Sequence, residues 1–119
     1  AQRLARFMPR HGANGTAAVA VSGATDMVTD GEHVYRLAGW QRHDDEITGA
    51  GCSLGGVTAV YLAAAQPLIA ALAATSLYNT AGEIAEKRSN GPGSFQVALL
   101  DALWNVTAEE VADRAIDMR

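Results

Sequence analysis

Apolar residues recur along this chain with two different periods, and the change of period divides it. Over residues 2–10, Leu4, Phe7 and Met8 stand at helical spacing, and Pro9 with Gly12 closes the segment, which predicts a short opening helix. Residues 17–21 form a continuous apolar run ending at Ser22 and Gly23, the pattern of a short buried strand. Residues 26–29 and 32–37 then flank Asp30 and Gly31, and Asp-Gly between two such runs predicts a hairpin closed by two residues. Residues 39–46 are polar and irregular and read as a loop carrying His43, Asp44, Asp45 and Glu46.

Beyond Thr48 the period becomes helical. Gly49, Ala50 and Gly51 make a tight turn, after which Leu54, Val57, Tyr61 and Ala64 share one face. Pro67 opens a second helix, so rich in alanine that it turns polar only at Glu83, Glu86, Lys87 and Arg88, and residues 90–93 break it. Ser94 is placed to cap a third helix bearing Phe95, Leu99, Leu103 and Val106. Thr107 with Glu110 forms a capping box for a last amphipathic helix through Val111, Ala115 and Met118. The predicted order is helix, strand, hairpin, then four helices. Helices apolar nearly all round need cover on both sides, and three strands are too few to give it. The pattern predicts part of a larger α/β unit that associates with further polypeptide; a free-standing α+β domain is the alternative.

Composition narrows the class. The chain has 119 residues, 49% hydrophobic and 18% charged, enough to bury one core. Nine basic residues face thirteen acidic ones, for a net charge of −4, and the single lysine is Lys87. Scattered arginines without a basic stripe exclude a nucleic-acid surface and an anionic-membrane surface. The apolar run from Val57 to Ala65 is too short to span a bilayer. One cysteine, Cys52, rules out an internal disulfide framework and fits a reducing compartment; with no signal peptide visible, a cytoplasmic location is expected. The chain opens Ala-Gln-Arg, which suggests a trimmed or partial polypeptide.

Candidate chemistry concentrates in residues 47–56. A glycine turn opening a helix offers unpaired backbone N–H groups at the positive end of the helix dipole, a site suited to phosphate. The same environment lowers a thiol pKa, making Cys52 a candidate base or nucleophile, against a plain role as a small core residue. The stretch lacks the third glycine of a dinucleotide fingerprint, where Leu54 stands, and the Gly-Lys-Ser/Thr of a P-loop. Residues 51–55 match the nucleophile elbow pattern around Ser53, but His11, His33 and His43 all precede it, whereas that elbow needs a later histidine. The His43 cluster reads as a solvated loop rather than a metal site, and Met8, Met27 and Met118 read as packing residues.

Four blocks in one order carry a resemblance: residues 19–23 (VAVSG), 26–31 (DMVTDG), 47–52 (ITGAGC) and 91–103 (GPGSFQVALLDAL). Together they resemble the C-terminal half of the hydroxyethylthiazole kinase family. The resemblance implies that residues 1–119 are the C-terminal half of a ribokinase-like domain with a three-layer αβα fold. It implies a homotrimer with sites between subunits, and ATP-dependent, Mg²⁺-assisted phosphorylation of 4-methyl-5-(2-hydroxyethyl)thiazole in thiamine biosynthesis. Ser22 matches a threonine that contacts ATP, and Gly49 a glycine that contacts the thiazole alcohol. Cys52 matches the cysteine standing where other ribokinase-like enzymes place a catalytic aspartate, and Gly49, Ala50 and Gly51 supply the anion-hole amides.

Serine replaces the family threonine at Ser22, alanine replaces the threonine of the glycine turn at Ala50, and residues 42–46 are acidic where the family carries P-L-M-T-K. The Mg²⁺-associated residues belong to a half not represented here, so the isolated chain is an incomplete kinase needing a companion N-terminal half. The alternative is a divergent, non-catalytic module for binding or assembly.

Overall fold

A computed structural model describes residues 18–21, 25–38, 50–113 and 116–118, with backbone alone at 50–53, 117 and 118. The opening helix, Trp40 and the His43 cluster lie outside the described residues. Strands β1 (Val19–Val21), β2 (Thr25–Thr29) and β3 (Val34–Ala38) are followed by helices α1 (Ala50–Leu62), α2 (Pro67–Lys87), α3 (Pro92–Asn105) and α4 (Ala108–Ala112). Strand β4 (Ile116–Met118) comes last. The sheet runs in the order β1-β2-β3-β4, every pair antiparallel.

The hairpin joining β2 and β3 differs from the expected two-residue turn. Thr29 pairs with Val34, which leaves the four residues 30–33 in the loop. Side chains close it: the Asp30 carboxylate accepts the N–H groups of Glu32 and His33, each at 2.9 Å. Buried Thr29 accepts the Gly31 N–H through Oγ1 at 3.0 Å and donates that hydroxyl to the His33 carbonyl at 2.7 Å. Gly31 has φ 98°, a conformation that disfavours any other residue. The dipeptide does mark the turn, but an Asx turn lengthens it.

α2 organises the rest. Pro67 starts it, where a missing N–H costs nothing, and its small buried residues let neighbours approach closely. On one side Leu68, Ala71 and Leu72 pack against Val28 and Leu37 of the sheet. On another, Tyr78, Ala81 and Ala85 meet Phe95, Leu99 and Ala102 of α3, with Leu54 and Val57 of α1 against the same cluster. The alanine-rich helix is therefore enclosed between a sheet and two helices, as its lack of a polar face requires.

Two helix boundaries correct the sequence reading. Ser94 is not the cap of α3: Gly91 is, Pro92 follows, and Ser94 stands in the first turn reaching back. Thr107 does cap α4, accepting the Glu110 N–H at 3.2 Å, but that helix ends at Ala112. Residues 116–118 instead pair with β3, Ile116 opposite Leu37 and Met118 opposite Tyr35. An open strand edge with unpaired backbone groups outweighed the helical spacing of Val111, Ala115 and Met118. Apolar surface remains on the helices: Val97, Leu100 and Trp104 form an exposed stripe along α3, and Val60, Leu62 and Ile69 are exposed on α1 and α2.

Candidate functional site

Helix α1 begins at Ala50, so Ala50 and Gly51, expected in a tight turn, instead share its first turn with Cys52. An α-helix leaves its first four N–H groups without intrahelical partners, here those of residues 50–53. No acidic residue lies in that turn to neutralise the helix dipole, and none in the last turn of the helix is basic. Such a start favours an anion. It also excludes the esterase geometry: a nucleophile elbow places its serine on a strained strand-to-helix turn, whereas Ser53 lies inside α1. Ser22 and Gly49 lie outside the described residues. Ser22 directly follows Val21, the last residue of β1, and Gly49 directly precedes α1.

The short connection of residues 63–66 folds α1 and α2 into a helical hairpin, closed by the Ala64 and Ala65 N–H groups on the Tyr61 carbonyl at 3.0 Å. Asn79 Nδ2 donates to Asp26 Oδ2 at 2.6 Å, joining α2 to β2 inside the structure. Sequence reasoning missed this pair. Its signal was there: Thr75, Ser76, Asn79 and Thr80 are polar residues crowded into an otherwise apolar helix, and all four are buried.

A cavity of about 310 Å³ lies where α1, α2 and α4 meet, lined by Tyr61, Leu77, Val106, Thr107 and Val111. Among the described residues no three His, Cys, Asp or Glu side chains come together to hold a metal ion. His33, 4.0 Å from Asp30, belongs to the hairpin loop. No described helix is long and apolar enough to cross a membrane.

These features define the class: an α/β protein with a helical layer packed on a sheet and a first helix that opens on Ala50, Gly51 and Cys52. Within that class the chain belongs to the hydroxyethylthiazole kinase family, whose model matches residues 6–109. It is 70% identical over 98 residues to the hydroxyethylthiazole kinase of Bifidobacterium adolescentis, covering 82% of this chain and 33% of that protein. Against the hydroxyethylthiazole kinase of Bifidobacterium longum it is 65% identical over 106 residues, covering 89% of this chain and 34% of that one. The solved hydroxyethylthiazole kinase protein of Pyrococcus horikoshii superposes with a TM-score of 0.84 at 27% identity, over 99% of this chain and 46% of that one. The chain thus spans about a third of the length of these curated relatives.

Proposed function

We propose that this chain is part of an enzyme that phosphorylates the primary alcohol of 4-methyl-5-(2-hydroxyethyl)thiazole with ATP, a step of thiamine biosynthesis and salvage. The observation that carries the reading is the start of α1 at Ala50, with Cys52 in its first turn and no acidic residue there. Support comes from family membership and from the match to relatives named hydroxyethylthiazole kinase.

The chemistry assigned to these residues is mostly positioning and charge stabilisation, as phosphoryl transfer requires. Ser22 contacts the nucleotide through its hydroxyl, and Gly49 lets the chain approach the alcohol closely. The amides of Gly49, Ala50 and Gly51 stabilise charge on the transferring phosphoryl group. The Cys52 thiolate takes the proton of the alcohol while the alcohol oxygen forms its bond to the terminal phosphorus. The bond from that phosphorus to the bridging oxygen breaks, and ADP leaves with its electron pair. Mg²⁺ accompanies ATP in this reading, but the described residues offer no set of ligands for it, so its ligands are assigned elsewhere and no step here runs through it.

Assembly as a homotrimer in the cytoplasm belongs to the same proposal. The exposed stripe of Val97, Leu100 and Trp104 supports association with further polypeptide, because apolar surface of this kind favours it. Turnover of the full-length enzyme with ATP and the thiazole alcohol, with pyridoxal and hydroxymethylpyrimidine as competing acceptors, tests the substrate. Preference for the thiazole supports the reading. Preference for another alcohol overturns its substrate, and nucleotide binding without any transfer favours the non-catalytic module.

A further inference from the structure

We propose that the cavity where α1, α2 and α4 meet binds a small, uncharged ring molecule, with Tyr61 as its polar contact. The proposal goes beyond the kinase reading and concerns residues to which that reading gives no role. The walls come from three elements: Tyr61 of α1, Ala73 and Leu77 of α2, and Val111 of α4 with Val106 and Thr107 leading into it. At about 310 Å³ the cavity falls in the size range of ligand pockets. A dry apolar cavity of about 150 Å³ takes up benzene, so this one has room for a fused two-ring molecule.

The lining decides the chemistry. No charged side chain borders the cavity, so an ion placed there would lose its hydration and gain no partner. Ala73, Leu77, Val106 and Val111 are only half-buried by the protein itself, and an apolar ring laid against them removes further surface from water. The Thr107 hydroxyl is already engaged: it accepts the Glu110 N–H and donates to Glu110 Oε1, each at 3.2 Å. Tyr61 is held through its carbonyl, which accepts the Ala64 and Ala65 N–H groups, and this leaves its hydroxyl to a ligand.

The rim argues for a small molecule rather than another stretch of polypeptide. Glu109, Glu110 and Asp113 are exposed on α4 and just after it, and protein–protein interfaces are depleted of acidic residues at their centres. The exposed apolar side chains that suit a protein partner, Val97, Leu100 and Trp104, lie along α3, whose residues 92–105 do not line the cavity. The same acidic rim repels anions, which makes nucleotide and phosphate the wrong ligands. Tyr61 stands nine residues beyond Cys52, about 14 Å along α1 by helical rise, so the cavity is separate from the turn assigned to phosphoryl transfer. A ring held there ties α4, a five-residue helix with no buried residue, to the helical hairpin.

The test uses the full-length enzyme with indole as the probe and indole-3-carboxylate as its anionic counterpart, followed by calorimetry and amide exchange. Indole should bind saturably with a Kd on the order of 1 mM or tighter, and should protect the amides of α4. The carboxylate should bind about tenfold more weakly or worse. Ala112→Phe, at an exposed position of the lining, and Ala73→Leu both fill the cavity from within the chain, and each should weaken indole by about tenfold. Where Ala73→Leu fails to fold, Ala112→Phe carries the test. Tyr61→Phe should weaken indole by about threefold and leave toluene, which has no polar group, unchanged.

Saturating ATP and thiazole alcohol should leave indole bound. Displacement of indole by either, undiminished binding in a folded cavity-filling variant, or no saturable binding at all overturns the proposal. So does a crystal structure of the full-length enzyme in which its remaining residues or a second copy fill the cavity. None of these readouts uses turnover, so a failure of the kinase reading leaves the outcome here distinct.

Discussion

Ser94 Oγ accepts the N–H groups of Asn90 at 2.9 Å and Gly91 at 3.2 Å, so one hydroxyl satisfies both donors at the entrance to α3. Gly91 has no side chain to cap the helix, and Pro92 fixes the backbone of its first turn. Ser94→Ala should therefore lower stability by about 1 kcal/mol, as loss of a helix cap does. Ser94→Asp keeps an acceptor and adds negative charge at the positive end of the helix, and should recover that loss. Chemical denaturation of the two variants side by side checks the pair. Equal destabilisation by both would contradict the capping role.

The same helix supplies a contrast between buried and exposed aromatics. Phe95 is fully buried against α2, while Trp104 is 88% exposed. Phe95→Ala should cost about 3–5 kcal/mol, because it leaves a cavity among Tyr78, Ala81 and Ala85. Trp104→Ala should change stability by less than about 0.5 kcal/mol in this chain. A loss at Trp104 that appears only in the full-length enzyme would show that the α3 stripe is covered there, and melts of both forms measure it.

Acid should loosen the β2–β3 hairpin. The backbone N–H groups of His33 and then Glu32 hold the Asp30 carboxyl below its ordinary pKa. A carboxylate with a lowered folded pKa contributes stability above its unfolded value, and loses it as pH falls through the folded one. Protection of the hairpin amides of residues 32 and 33, taken against their intrinsic exchange rates, should accordingly fall as pH drops from about 5 toward 3, in the range where carboxylates titrate. Asp30→Asn keeps one acceptor and removes the titration. Protection in that variant should stay flat, and the same pH dependence in it would contradict the assignment.

Much of this was legible before any coordinates. Pro67, the alanine-rich run after it and the positions of Phe95 and Leu99 announced α2 and α3, because helical period and burial act locally. The turn at Asp30 was legible too, but its length was not: two side chains, Thr29 and Asp30, close four residues where the dipeptide alone implies two. Strand β4 was missed because an edge of β3 some eighty residues earlier decides it, and no local period records that partner. At the candidate site, the glycines marked where α1 would open, but Ala50 and Gly51, expected in the turn, are already helical. The Asp26–Asn79 bond was not legible, since only the packing of α2 on the sheet brings these residues together.

The central claim, that the first turn of α1 is where phosphoryl transfer takes place, is tested most directly at Cys52. Full-length Cys52→Ala and Cys52→Ser should be assayed for turnover of the thiazole alcohol with ATP, with thermal melts on the same preparations. A general base contributes on the order of 10²–10⁴ in rate, and the dominance of positioning in phosphoryl transfer puts the loss toward 10². Both variants should lower kcat by that amount more than they raise KM for the alcohol, serine faring no better than alanine because its hydroxyl is too weakly acidic to replace a thiolate. Full turnover by a well-folded Cys52→Ala enzyme would contradict the claim.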